Sequence, residues 1–364
     1  MKTQLMAAGF ILFSFMLPLR VSAASFTGLY VFGDSLSDTG NVFNAIESAT
    51  GIGFPPPPYF EGRFSNGPIW IDELAQKLNL DSPTPFINVV NGTTPTSGIN
   101  FAFGGATTTT ANTVSTSLLG LPQEIGAFQT LLNTNQQPVD PDALYILWFG
   151  ANDYLPTQSL DFVPFTNPNQ TLENISNAVQ TLASFGVKNL LVPNLPNLGN
   201  TPNALRLDQL MPEASISSNL NQLTQEHNAG LSKLIQDFSQ NPGLGLNIRT
   251  LDINSLFSNA QNLGLTNVTE PCLNQFAQTI CSNPDEYLFW DFNHPTTRTH
   301  SLVADAALLA LEPKSVPEPG AVLGMLALGA LGAAGVLRRQ QKKSAFTSGS
   351  PVLVGQSSHT MVEN

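Results

Sequence analysis

Two short blocks, far apart in the chain, carry side chains suited to cleaving an acyl bond. The first is Gly33-Asp34-Ser35-Leu36, directly after the apolar run Leu29-Tyr30-Val31-Phe32. A serine hydroxyl is a weak nucleophile until a neighbouring base takes its proton. The second block, Asp291-Phe292-Asn293-His294-Pro295, offers that base in His294. Asp291 stands three positions earlier, so one short turn can present both side chains. Its carboxylate can then accept the imidazole Nδ1–H, fixing the tautomer and stabilising the imidazolium. A neighbouring backbone carbonyl is the alternative partner for Nδ1, which would leave Asp291 as a helix cap. Acyl transfer also builds negative charge on the carbonyl oxygen, and preorganised donors must meet it. Two further blocks have the right character: Asn100-Phe101-Ala102-Phe103-Gly104-Gly105-Ala106 and Gly150-Ala151-Asn152-Asp153.

Each block follows an apolar run of strand-forming residues, apart from the histidine block, which precedes a helix. Parallel strands deliver side chains to the carboxyl edge of a sheet, where open α/β folds bind ligands. Leu29–Phe32, Phe86–Val90, Ile99–Phe103, Ala143–Phe149, Asn189–Val192 and, last, Leu246–Leu251 read as strands. Helices are expected after Asn66, which can cap with Pro68 in the first turn, and over Leu118–Leu132, Asn174–Phe185, Ser218–Phe238 and Thr296–Leu311. Strands alternate with helices, which implies a parallel sheet covered on both faces. The proline-rich Ile52–Tyr59 and the stretch Leu155–Gln170 must be irregular, and are expected to border the site.

The four blocks in this order, with Gly62-Arg63-Phe64-Ser65-Asn66-Gly67, resemble the GDSL lipase/esterase family, the SGNH hydrolases, from about Phe26 to about Leu311. The resemblance implies an α/β fold of three layers (αβα) with a flavodoxin-like parallel sheet. It implies a serine hydrolase that cleaves carboxylic esters with no cofactor and no metal. Ser35 would be the nucleophile, His294 the base and Asp291 its partner. The oxyanion hole would use the backbone N–H of Ser35, the backbone N–H of Gly105 (Gly104 is the adjacent choice) and the Asn152 amide. No Gly-x-Ser-x-Gly elbow, phosphate loop or dinucleotide fingerprint is present. Asp34, Asp38 and Asp153 are expected to hold loops or cap helices, and His227 to pack at the core edge. Lipid-type esters are the favoured substrates, with acetyl esters of polysaccharide as the alternative. A non-catalytic surface or matrix protein on the same fold is a reading from another class.

Composition and the chain ends set the address. The 364 residues carry a net charge of −12, with only 11% charged residues, which argues against a nucleic-acid partner. Lys2, the apolar run Leu5–Leu19 and Val21-Ser22-Ala23 read as a signal peptide over residues 1–23, with a membrane anchor as the alternative. Cys272 and Cys281, the sole cysteines, are expected to form a disulfide in an exported chain. A loop that short would contribute about 2–3 kcal/mol. The hydrolase domain would span 24–313. After it, Val316-Pro317-Glu318-Pro319 precedes the uncharged apolar run Gly320–Leu337 and then Arg338, Arg339, Lys342 and Lys343. As a helix that run is about 27 Å long, enough to cross a bilayer core, and the basic cluster suits a cytoplasmic end. The pattern over 314–343 resembles a PEP-CTERM sorting signal, which implies export to the cell exterior or envelope, contact with the membrane before processing, and a sorting machinery as partner. A simple tail anchor is the alternative. Residues 344–364 extend beyond the usual end of such signals and read as a disordered tail.

Overall fold

The computed structural model describes residues 25–157 and 159–312. The signal-peptide segment, the sorting segment and the tail expected at the two ends lie outside the described residues.

The strands are β1 (Leu29–Gly33), β2 (Thr84–Pro85), β3 (Gly98–Asn100), β4 (Leu144–Trp148), β5 (Asn189–Pro193) and β6 (Asn247–Leu251). They form one six-stranded sheet in the order β2-β3-β1-β4-β5-β6, and every pairing is parallel. With the two-residue edge strand β2 set aside, renumbering the rest gives 2-1-3-4-5, the flavodoxin-like order. The strand order reverses between β1 and β4, whose ends are in register at Gly33 and Trp148. That reversal opens a crevice at the carboxyl edge.

The principal helices are α1 (Asn41–Thr50), α2 (Trp70–Lys77), α3 (Leu121–Asn135), α4 (Asn169–Phe185), α5 (Ile216–Ser239) and α6 (Thr297–Leu311). They cover both faces of the sheet. β4 shows why. All five of its residues are buried, and their side chains alternate between two cores. Tyr145 and Leu147 join residues of α3, α4 and α5 on one side, while Leu144, Ile146 and Trp148 join residues of α2 and α6 on the other. Each such aliphatic or aromatic side chain contributes about 1.5–3 kcal/mol on burial. The result is the three-layer α/β/α arrangement expected from the alternation of elements.

Three local expectations are corrected. Phe86–Val90 is a short helix, not a strand. Edge pairing stops at Pro85, which has no N–H to give, and Asn41 Oδ1 instead accepts the Ile87 N–H at 3.0 Å. Asn66 does not cap the helix that follows it. Its Oδ1 accepts the Thr297 N–H at 2.9 Å, at the start of α6, while Asp72 Oδ2 takes the Ile69 N–H ahead of α2. Finally, β6 is not the last strand. Asn267–Pro271 pairs in parallel with Tyr287–Phe289, and a hairpin of Leu273–Asn274 with Thr279–Ile280 lies between them. The Cys272–Cys281 disulfide closes that hairpin.

Candidate active site

Groups from three strand ends and one helix-leading loop converge at the β1/β4 crevice. Beyond β1, Asp34 Oδ1 accepts the Leu36 N–H at 3.0 Å and the Asp34 carbonyl accepts the Ser37 and Asp38 N–H groups. This turn leaves Ser35 at its tip, 9% exposed. The histidine block folds around its own aspartate. Asp291 Oδ1 accepts the Asn293 N–H at 2.8 Å and the His294 N–H at 2.7 Å, the local turn that a short polar side chain favours. The same carboxylate faces His294 Nδ1, with Oδ2 at 2.7 Å. Across the ring, His294 Nε2 lies 2.8 Å from Ser35 Oγ. With the proton on Nδ1, Nε2 is the acceptor for the serine hydroxyl.

The electrostatics follow from that pairing. Burial opposes charge on both groups, yet the His294 charge and hydrogen bond hold the Asp291 carboxyl below its usual range. Burial likewise pushes the His294 imidazole down, but Asp291, helped by Asp34, wins and raises it above its usual value. Asp34 itself is pushed up to about 6 by burial, against the Leu36 N–H and the His294 charge.

The opposite wall of the crevice carries N–H groups. Gly105 has φ of +79°, a conformation that a side chain resists, and an added Cβ would lie 2.8 Å from Asn112 Oδ1. Its carbonyl accepts the Thr113 N–H, but neither its own N–H nor that of Ser35 donates to another described residue. Beyond β4, Gly150 at φ +121° starts the short helix Ala151–Tyr154 that carries Asn152. One Asn152 amide hydrogen goes to the Ala106 carbonyl at 3.0 Å, and the other makes only a long contact of 3.4 Å with Asp34 Oδ2. Ser35, Gly105, Asn152 and His294 together line a cavity of about 180 Å³. Such an array can hold a carbonyl carbon against Ser35 Oγ, with its oxygen among N–H donors.

A family profile described as GDSL-like lipase/acylhydrolase matches residues 29–307. The chain belongs to that family. Residues 315–340 separately match the PEP-CTERM protein-sorting motif, which associates this GDSL protein with export and the cell envelope. Among curated relatives, a phosphatidylcholine-sterol acyltransferase of Aeromonas hydrophila is 28% identical over 80% of this chain and 92% of its own length. GDSL esterase/lipase 6 of Arabidopsis thaliana is 26% identical over 79% of this chain and 88% of its own length. Family membership makes the chain an ester-hydrolysing enzyme of the GDSL type. No helix among the described residues is long and apolar enough to cross a membrane.

Other residues of this GDSL domain hold the site in shape. Asp38 accepts N–H bonds from Gly40, Asn41 and Val42, capping α1, and a fourth from Gly104, which ties down the glycine loop. Asp153 binds Thr108 and Thr171. His227 is buried against the Tyr154 hydroxyl at 2.9 Å, and His300 is buried in α6; neither lines the cavity. His359 lies outside the described residues.

Three further side chains support the site. The Tyr59 hydroxyl, from the proline-rich stretch, donates to Asp291 Oδ2 at 2.6 Å. Phe64 packs against the His294 ring at a tilt of 35°, with centroids 5.1 Å apart. Glu124 is fully buried beneath the site and accepts the Gly33 N–H at 3.0 Å and the Phe103 N–H at 3.1 Å, joining the two strand ends that lead to Ser35 and Gly105. Burial pushes its carboxyl well above the usual range against those two N–H groups. The Gly62–Gly67 block flags Phe64, but no local pattern marks Tyr59 or Glu124.

Proposed function

We propose that this GDSL enzyme is an exported serine esterase that works through an acyl-enzyme, with Ser35, His294 and Asp291 as its catalytic residues. The observation that carries the reading is the 2.8 Å contact between His294 Nε2 and Ser35 Oγ, on an imidazole held by Asp291 from the other side. Ser35 Oγ attacks the acyl carbon while His294 takes its proton. The Ser35 and Gly105 N–H groups and the Asn152 amide stabilise the oxyanion, each donor contributing about 3–4 kcal/mol in comparable sites. His294 then protonates the leaving alcohol, and water activated by the same imidazole releases the acid. The cavity wall of Leu36, Phe64, Leu155, Leu198, Phe257 and Phe289 supports a hydrocarbon acyl group over a sugar-linked acetate.

Ser35→Ala tests the assignment on p-nitrophenyl esters. Turnover should fall roughly 10³-fold or more, by the measure of other catalytic triads, with the melting temperature unchanged. A folded Ser35→Ala protein at full turnover would refute it. Labelling of Ser35 by a fluorophosphonate probe should accompany activity; a folded wild-type chain that resists the probe would favour the non-catalytic surface protein.

At the ends, the reading is cleavage after Ala23, a hydrolase domain over 24–313 and a sorting segment over 314–343 that holds the membrane until processing. Its support is the sorting motif at 315–340. The intact mass of the exported protein checks both ends.

A further inference from the structure

We propose that the groove behind His294 is the subsite for the leaving alcohol and that it takes an uncharged, hydrocarbon alcohol. The inference rests on the serine-esterase reading and names one half of its substrate. The groove, about 740 Å³, runs from the catalytic imidazole between the proline run and the disulfide hairpin. It shares Phe64, Val114, Asn293 and His294 with the catalytic cavity, so the two spaces meet over the imidazole. It contains none of Ser35, Gly105 or Asn152.

That division decides which half of the ester goes where. The acyl carbon bonds to Ser35 Oγ, and its oxygen points at the N–H donors. Both partners line the smaller cavity. The alcohol oxygen must end beside His294 Nε2, which returns the proton to it. The substituent on that oxygen therefore continues past the imidazole, into the groove. His294 is the one catalytic hydrogen carrier that both spaces share.

The walls define the chemistry of the occupant. Phe54, Val114 and Ile280 line the groove, yet they are 39%, 38% and 53% exposed. Apolar side chains left open around a catalytic mouth fit an apolar ligand. Pro55 to Pro58 form much of one wall, and prolines have no N–H to offer a sugar or a phosphate. Asp291 is the sole acidic residue of the lining among the described residues, and its oxygens are filled by Tyr59, His294 and two backbone N–H groups. Among the described residues no lysine or arginine lines it, so an anionic head group would find no countercharge there.

The experiment compares two ester series on the wild-type chain. One keeps butyrate and lengthens the alcohol from ethyl to hexyl; the other keeps ethanol and lengthens the acid. Ile280→Glu and, separately, Gln278→Glu place a charge on the groove wall at exposed positions of the hairpin. The hexyl ester should be preferred to the ethyl ester at least tenfold in kcat/KM in the wild type. Either variant should cut that preference below threefold, with the ranking of the acid series unchanged. The proposal is overturned if alcohol length has no effect, if both variants keep the full preference, or if they alter acid-length selectivity instead. Ser35→Ala separates the two levels. If it is inactive while the groove variants keep the preference, only the subsite assignment fails; if it stays active, both fail.

Discussion

At the residue scale, the Asp291 carboxylate holds the site together. Its Oδ2 receives two donors at nearly equal distance, the Tyr59 hydroxyl at 2.6 Å and His294 Nδ1 at 2.7 Å. In the proposed mechanism the reactive form needs an unprotonated Nε2, and Asp291 raises the imidazole pKa above its ordinary 6.5. The kcat/KM profile should therefore rise with pH through a midpoint above 6.5 and be lost below it. Tyr59→Phe removes one donor and leaves the carboxylate charge less dispersed. The imidazolium is then held to higher pH, and the limb should move up. Turnover near pH 7 should fall several-fold and recover in alkali, with KM little changed, because Oδ1 still keeps the loop through its two backbone bonds. A uniform loss at every pH would mean that the tyrosine merely packs. For the oxyanion, Asn152→Ala should lower kcat by about 10²–10³-fold, as for other such donors.

At the element scale, the site depends on two strand ends and one loop kept at fixed separation, and Glu124 at the start of α3 bridges the two strand ends. Glu124→Ala takes the side-chain acceptor from the buried Gly33 N–H, at about 1–3 kcal/mol, while the Phe103 N–H keeps the Gly33 carbonyl at 3.1 Å. A drop of that order in unfolding free energy, read by denaturant titration, is expected, and activity should fall along with it. The elements themselves were largely legible in the sequence. β1 and β4 are unbroken apolar runs, and each stops at the polar blocks that carry Ser35 and Asn152. Asp291 and His294 sit three residues apart, so their pairing is a local matter. Contacts such as Tyr59 to Asp291 or Glu124 to Gly33 join distant parts of the chain, and neither partner carries a pattern that points to the other. The small strands around the Cys272–Cys281 hairpin were missed for a related reason. At two to five residues each, they are too short for an alternating pattern to emerge.

At the scale of the whole molecule, the two cores on either side of the sheet enclose titratable groups that the reaction does not use, and these shape the response to acid. Burial depresses His227 to about 4 and His300 to about 3. Unfolding returns both to about 6.5, so below that pH the unfolded chain takes up protons that the native one refuses, and stability falls as pH drops. Asp38 works in the opposite sense. Burial raises it to about 6, against its four backbone N–H bonds, so the native state keeps a proton that the unfolded chain releases near 3.8, and stability rises as pH drops through that window. The opposing terms blunt the pH dependence of the wild type, so a difference measurement is needed to see either one. His300 suits it, because its Nδ1 is buried with no hydrogen-bond partner among the described residues and the residue lies outside the cavity. His300→Leu should melt close to the wild type at pH 7, then gain a growing advantage as pH falls from 6.5 towards 4, while ester turnover at neutral pH is retained. An advantage independent of pH would mean that the leucine simply packs better and that the imidazole does not titrate on unfolding.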